Sequence, residues 1–241
     1  MSFYPQPAQQ SEKRIIHQCP VRAPAGLLGY LDSLHTISTE QEDAIDRTEV
    51  EKVGFDNYMK DKYIALDQDK CWFVYQTCLA TGARNVVEAG TSFGVSTIYL
   101  SLAVQQTIKL RGGEGRVIAT ENEPEKAARA RSTWAEAGEG VADLIDLREG
   151  DLRETLKDGL ADIDLLLLDI WAPLALPALR LVEPHFRRGA VVICDNSISS
   201  ADRYADLQAY MRDPKNGYAN LTVPFKNGLE MSVYLGRYGG T

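Results

Sequence analysis

The sequence predicts an α/β fold: one mostly parallel seven-stranded sheet, an antiparallel edge hairpin, and helices on both faces. Three observations carry this. From Val86 onward, short β-branched or leucine-rich runs alternate with helix-length segments, and that alternation calls for parallel strands joined by crossover helices. One run, Leu165 to Leu168, is four consecutive leucines between Asp164 and Asp169, the pattern of a strand buried on both faces. The last two runs are joined through Lys226-Asn227-Gly228, which suits an antiparallel pair at one edge.

The totals bound the answer. A chain of 241 residues holds one large domain with an N-terminal attachment, read here as a tail and helical arm over 1–55, a possible substrate cap, ahead of a main domain over 56–241. Its 26 basic and 34 acidic residues give a formal charge of -8, and no basic run stands out, which argues against a nucleic-acid partner. Hydrophobic residues are 44% of the chain but come in strand- and helix-length pieces, so no membrane partner is expected. Cys19, Cys71, Cys78 and Cys194 form no CxxC pair and are read as reduced. The first residues carry no signal or transit pattern, and a cytoplasmic location is the expectation.

Taken in order, residues 1 to about 25 are polar and broken by Pro5, Pro7, Pro20 and Pro24. Leu27, Leu28, Leu31 and Leu34 fit one face of a short helix over Gly26 to His35. Thr39 to Lys52 is a charged, solvated helical run, and Asp56 to Ile64 and Asp69 to Ala80 are two more helices, the second stopped by Gly82. The strands follow at Val86 to Ala89, Arg116 to Thr120, Ile145 to Arg148, Leu165 to Leu168, Ala190 to Cys194, Leu221 to Val223 and Met231 to Leu235. Between them, Val95 to Lys109, Pro124 to Glu136, Asp151 to Lys157, Ala175 to Leu181 and Asp202 to Met211 read as helices.

In such a sheet a ligand binds beyond the carboxyl ends of the strands. The loop after the first strand, Glu88-x-Gly90-x-x-x-Gly94, has neither the GxGxxG fingerprint nor a phosphate-binding lysine. An acid before its first glycine suits an ammonium or hydroxyl group better than a pyrophosphate, although a glycine after a strand also serves as a plain turn. Glu121, at the tip of the second strand, is placed to grip a ribose diol, or to sit in a helix first turn. Asp151, after the third strand, is placed to accept from an adenine amino group, to cap a helix, or both. Three acids after three successive strands fit a nucleoside carrying an amino acid, which is S-adenosylmethionine.

From roughly Leu66 to Gly236 the chain resembles the small class I methyltransferases of the catechol O-methyltransferase type and the related caffeoyl-CoA O-methyltransferase-like enzymes, which share a Rossmann-like fold. The resemblance rests on Val87-Glu88-Ala89-Gly90 with Gly94 and Ser96, Glu121-x-x-Pro124, Ile163 through Trp171, Cys194-Asp195-Asn196, and Asn227-Gly228-Leu229-Glu230. It implies that Glu88, Gly90, Thr91, Ser96, Glu121, Asn122, Asp151, Asp169 and Trp171 hold the cofactor. It also implies that Asp169, Asp195 and Asn196 bind Mg2+ or another divalent cation through hard oxygen ligands. Asp169 and Glu230 would be catalytic, Glu230 orienting the second hydroxyl of a vicinal diol. The implied reaction is methyl transfer to a small-molecule acceptor, a catechol-like or phenolic hydroxyl, by an enzyme that is monomeric in one branch of the family and a homodimer in the other.

The resemblance breaks at Ala172. The catechol enzymes carry a lysine base three residues after the first metal aspartate, and alanine cannot take a proton. Metal acidification of a bound hydroxyl, with Glu230 positioning it or accepting a proton, would dispense with that base. Metal-independent transfer to nitrogen or to an aromatic carbon is the alternative, and a binding protein without turnover the third. His35 and Tyr63 are the other side chains weighed as a base, with His17 placed in the tail and His185 in a structural role.

Overall fold

The computed structural model describes residues 18–59 and 61–237; Pro5, Pro7 and His17, assigned above to a tail, lie outside them. Among the described residues four helices precede the sheet: α1 (Ala25–Asp43), α2 (Arg47–Val53), α3 (Phe55–Met59) and α4 (Gln68–Thr81). The alternating part then runs β1 (Asn85–Ala89), α5 (Val95–Arg111), β2 (Arg116–Glu121), α6 (Pro124–Ala137), β3 (Ile145–Glu149), α7 (Leu152–Thr155), β4 (Ile163–Leu168), α8 (Ala172–Val182) and β5 (Phe186–Asp195). It closes with α9 (Ala205–Arg212), β6 (Tyr218–Val223) and β7 (Leu229–Tyr234).

The strand order is β3-β2-β1-β4-β5-β7-β6, with β1 to β5 parallel and β7 antiparallel to both β5 and β6. Sequence order reverses between β1 and β4, so the crevice for a ligand opens beyond the carboxyl ends of those two strands. In register, Ala89 pairs with both Thr120 and Leu168, and Leu168 pairs with Cys194. Gly90, Glu121, Asp169 and Asp195 are thereby brought to one rim.

The period of two along each strand divides the core. Val86, Val117, Leu165, Leu167, Val191 and Ile193 pack with α1, α4, α5 and α6 on one face. Val87, Ile118, Leu166, Leu168, Val192 and Cys194 pack with α7, α8 and α9 on the other. All four leucines of β4 are fully buried, each contributing roughly 1.5–3 kcal/mol.

The N-terminal region differs most from expectation. α1 continues to Asp43 without a break at His35, because Leu27, Leu31 and Leu34 bury one face in the same core as β1 and α5 and so support a longer helix. The arm is thus packed into the sheet's own core. α3 ends at Met59, five residues short of Ile64. α8 tolerates Pro177 because the missing N–H forfeits only one bond, to the carbonyl of Pro173 in the first turn.

Candidate active site

The loop after β1 is held from below. Glu88 is fully buried, and its carboxylate accepts from Ser96 Oγ at 2.6 Å, Thr97 Oγ1 at 2.6 Å and Thr91 Oγ1 at 2.9 Å. Burial raises its pKa, against the pull of these three hydroxyls. The expectation that Glu88 meets the ligand is corrected here. It shares the side of β1 that carries Val86, which points it under the loop toward the start of α5, and it does not line the cavity above.

Gly90 has φ +94°, and a Cβ there would stand 2.1 Å from the carbonyl oxygen of Asp169. Only glycine lets the first and fourth strand tips approach this closely. Asp169 N in turn donates to Ala89 O at 3.1 Å, extending the β1–β4 ladder to the rim. Glu121 closes the other side of the loop: Ser92 N donates to its Oε2 at 2.8 Å and Glu123 N to its Oε1 at 2.9 Å. Each oxygen keeps a second lone pair, and Glu121 lines the cavity while nearly buried.

That cavity measures about 650 Å3 and runs along the rim. Gly90, Thr91, Ser96, Glu121, Asn122, Asp151, Asp169, Trp171, Asp195 and Asn196 all line it, so of the residues expected to hold the cofactor, hold a metal or catalyse, only Glu88 and Glu230 fall outside. Asp151 caps α7 through Arg153 N and is also paired with the Arg153 guanidinium at 2.6 Å, which lowers its pKa to about 2. Trp171 precedes α8 and is 40% exposed. Beyond the strand tips the wall turns apolar, with Ile45, Met59, Ile64 and Leu174.

Asp169 and Asp195 form an acidic pair with an unexpected third member. Burial raises the pKa of Asp169, and the neighbouring Asp195 and Glu88 add to the effect. Burial also raises that of Asp195. Lys70, on α4, is 1% exposed, and its Nζ lies 2.7 Å from Asp195 Oδ1 and 2.8 Å from Asp67 Oδ2. Burial opposes its charge, but the two carboxylates outweigh that and raise its pKa, so Lys70 stays an ammonium. Asp67 stands at the N-cap of α4 without capping it, its carboxylate being committed to Lys70.

Lys70 was the functional candidate missed in the sequence. The signal was present: Lys70, Val74 and Cys78 stand four residues apart on the buried face of a helix, and a charge there needs a buried partner.

This arrangement bears on the expected Mg2+. Asp195 Oδ1 is ion-paired with Lys70, and Oδ2 accepts from Asn196 Nδ2 at 3.0 Å. Among the described residues no three His, Cys, Asp or Glu side chains are grouped to hold a metal ion. A divalent ion on Asp195 would share its ligand with a buried ammonium, and at roughly 4 Å and an effective dielectric of about 20 the repulsion is about 8 kcal/mol. The donor set as arranged does not fit Mg2+.

Glu230 is also corrected. It lies on β7 opposite Cys194, on the face covered by α9, and is 2% exposed. Its Oε2 accepts from Thr222 Oγ1 at 2.6 Å and its Oε1 faces Arg212 at 3.4 Å, so it is a structural acid away from the cavity. Nor do the other side chains weighed as a base line it: Tyr63 stacks on Phe93 at 4.8 Å, His35 is bonded to Tyr99, and His185 precedes β5 at the opposite end of the strand from Asp195.

A protein-family model described as a methyltransferase domain matches residues 87–197. A catechol O-methyltransferase of Mycobacterium tuberculosis is 35% identical over 127 residues, which is 50% of this chain and 53% of that protein. One of Niastella koreensis is 29% identical over 124 residues, 48% of this chain and 50% of its own. The match thus spans about half the length of these curated relatives. Among solved structures, an O-methyltransferase of tomaymycin synthesis from Streptomyces achromogenes, in complex with SAM, superposes with a TM-score of 0.64 at 19% identity, over 90% of this chain and 92% of that one. A Bacillus cereus O-methyltransferase in complex with SAH gives 0.60 at 20% identity, over 85% and 99%. At these identities the structures speak for the fold, and no helix among the described residues is long and apolar enough to cross a membrane. The chain is thus similar to a methyltransferase domain over residues 87–197 and, over about half its length, to catechol O-methyltransferases, on a fold that it shares with solved O-methyltransferases.

Proposed function

We propose that this protein transfers the methyl group of S-adenosylmethionine to a hydroxyl of a small, largely apolar acceptor of phenolic or catechol-like type. The observation that carries the reading is one continuous cavity. It takes in the glycine loop with Asp169 beside it, Glu121 and Asp151, and the apolar residues Ile45, Met59, Ile64 and Leu174.

The cradle fits the cofactor's chemistry. Glu121 keeps lone pairs for a ribose diol, Asp151 offers an acceptor for an adenine amino group, and Trp171 offers a flat apolar face beside them. S-adenosylmethionine bound there would supply a methyl on a positively charged sulfur, for the acceptor oxygen to take as the S–C electron pair stays on sulfur. The protein's part is to hold the acceptor's lone pair in line and to keep bulk water out. Asp169, half-buried beside the glycine loop and lining the cavity, would accept the hydrogen of the attacking hydroxyl.

Metal assistance, the other half of the family's chemistry, gains no support from an Asp195 already engaged by Lys70 and Asn196. Ala172 supports a second reading, transfer to nitrogen or an aromatic carbon, since it stands on the cavity wall where the family has a base. One experiment tests these readings. Calorimetry should show binding of S-adenosylmethionine and S-adenosylhomocysteine, and a methylation screen over catechols, phenols, amines and indoles, with Mg2+ and with chelator, should give methyl ethers. No cofactor binding would end the proposal, and methylated amines or indoles alone would favour the second reading.

A further inference from the structure

The buried ion triad beside the cavity has a shape of its own. A lysine at 1% exposure is held between Asp67, at the start of α4, and Asp195, at the tip of β5. Lys70, Asp67, Asp169 and Asp195 all line the cavity, and the charge of Lys70 also bears favourably on ionised Asp169. A cation therefore already stands between two carboxylates, Asp67 and Asp195, close enough for its charge to reach Asp169.

We propose that Lys70 is the resident cation of this cluster: its ammonium holds Asp195 and Asp67 in place, and the site neither binds nor requires a divalent metal ion. Geometry carries the inference. For Asp195 to ligate a metal, Lys70 would have to leave an oxygen 2.7 Å away, and among the described residues the one other carboxylate it pairs with is Asp67, itself partly buried. A buried ammonium stripped of a partner is strongly disfavoured, and a divalent ion drawn close to it is repelled. The lysine is covalently fixed to a core helix, through Cys71, Val74 and Cys78 on the same buried face, so it cannot be exchanged as a bound ion can.

Two consequences follow for the proposed reaction, on which this inference depends for its role but not for its test. The acceptor need not chelate, so a single hydroxyl suffices and a vicinal diol gives no advantage. Lys70 is a positioning residue, acting through Asp195 and Asp67 and not on the acceptor itself.

The test is a calorimetric titration of the full chain with MgCl2, with S-adenosylhomocysteine present and absent, on wild type, Lys70→Arg and Lys70→Met. Wild type and Lys70→Arg should show no saturable Mg2+ binding up to millimolar concentration. Lys70→Met, with Asp67 and Asp195 released, should gain a Mg2+ site that Asp195→Asn in the same background removes. Saturable Mg2+ binding by wild type that Asp195→Asn abolishes would overturn the proposal. So would a folded Lys70→Met that binds Mg2+ no better than wild type. If Lys70→Met fails to fold, the wild-type titration decides alone. Failure of S-adenosylhomocysteine to bind would count against the proposed function and leave the Mg2+ result standing.

Discussion

Thr97 Oγ1 donates to Glu88 Oε2 at 2.6 Å, tying the end of β1 to the first turn of α5 beneath the glycine loop. With Ser96 and Thr91 on the same carboxylate, this acid is a buried acceptor for three hydroxyls. Glu88→Ala leaves all three without it, and a loss of about 3–5 kcal/mol is expected. Thermal unfolding should drop on the order of 10 °C. Glu88→Gln keeps the shape, lets the hydroxyls reorient, and should cost about 1 kcal/mol. Equal effects of the two substitutions would contradict this account.

Glu121 joins the loop to the cofactor's place. Ser92 N and Glu123 N both donate to it, and Ser92 holds a left-handed φ of 49° with that bond in place. Glu121→Ala should weaken S-adenosylhomocysteine binding by about 10- to 100-fold, the loss of one charged hydrogen-bonding pair. Glu121→Gln, which can still accept, should fall between. Calorimetry distinguishes them, and an unchanged affinity in the alanine variant would remove Glu121 from the site.

Much of this was legible in the chain. The leucine run of β4 announced itself, and strand tips at Glu121, Asp169 and Asp195 were found within a residue. What could not be read was direction. Successive strand residues face opposite ways, so an acid at a tip meets the cavity, a helix N-terminus or a covering helix according to its parity in the register. Glu88 shares the face of Val86 and meets α5, whereas Glu230 shares that of Cys194 and meets α9. Asp195 has the parity of Ile193 and so meets α4 and Lys70. Without the register these were three similar acids.

Gly90 and Gly29 make a paired test of where glycine is required. Gly90→Ala would force a Cβ to 2.1 Å from Asp169 O at φ +94°, so β1 and β4 must part at the rim. A loss of about 3 kcal/mol or more is expected, with cofactor binding lost. Gly29 lies exposed inside α1 with nothing within 4 Å of its would-be Cβ. Gly29→Ala should stabilise by about 0.5–1 kcal/mol and leave binding unchanged.

His35 sets an acid limit on stability. Its Nε2 lies 3.0 Å from Tyr99 OH at 8% exposure, and burial lowers its pKa from 6.5 to about 4 despite the opposing pull of Asp32 and Asp67. The folded state therefore binds this proton less readily than the unfolded chain, and stability falls as pH drops from 6.5 toward 4. The slope is at most about 1.4 kcal/mol per pH unit, and the full contribution about 3 kcal/mol. Glu88, Glu121 and Asp169, whose pKa values are raised on folding, act in the opposite sense and gain stability as pH falls through the same region. The informative quantity is thus a difference. Urea unfolding of wild type and His35→Gln at pH 7, 5.5 and 4.5 should show the variant losing less stability on acidification, the gap between them narrowing as pH falls. Parallel curves would mean that His35 is not held neutral against Tyr99.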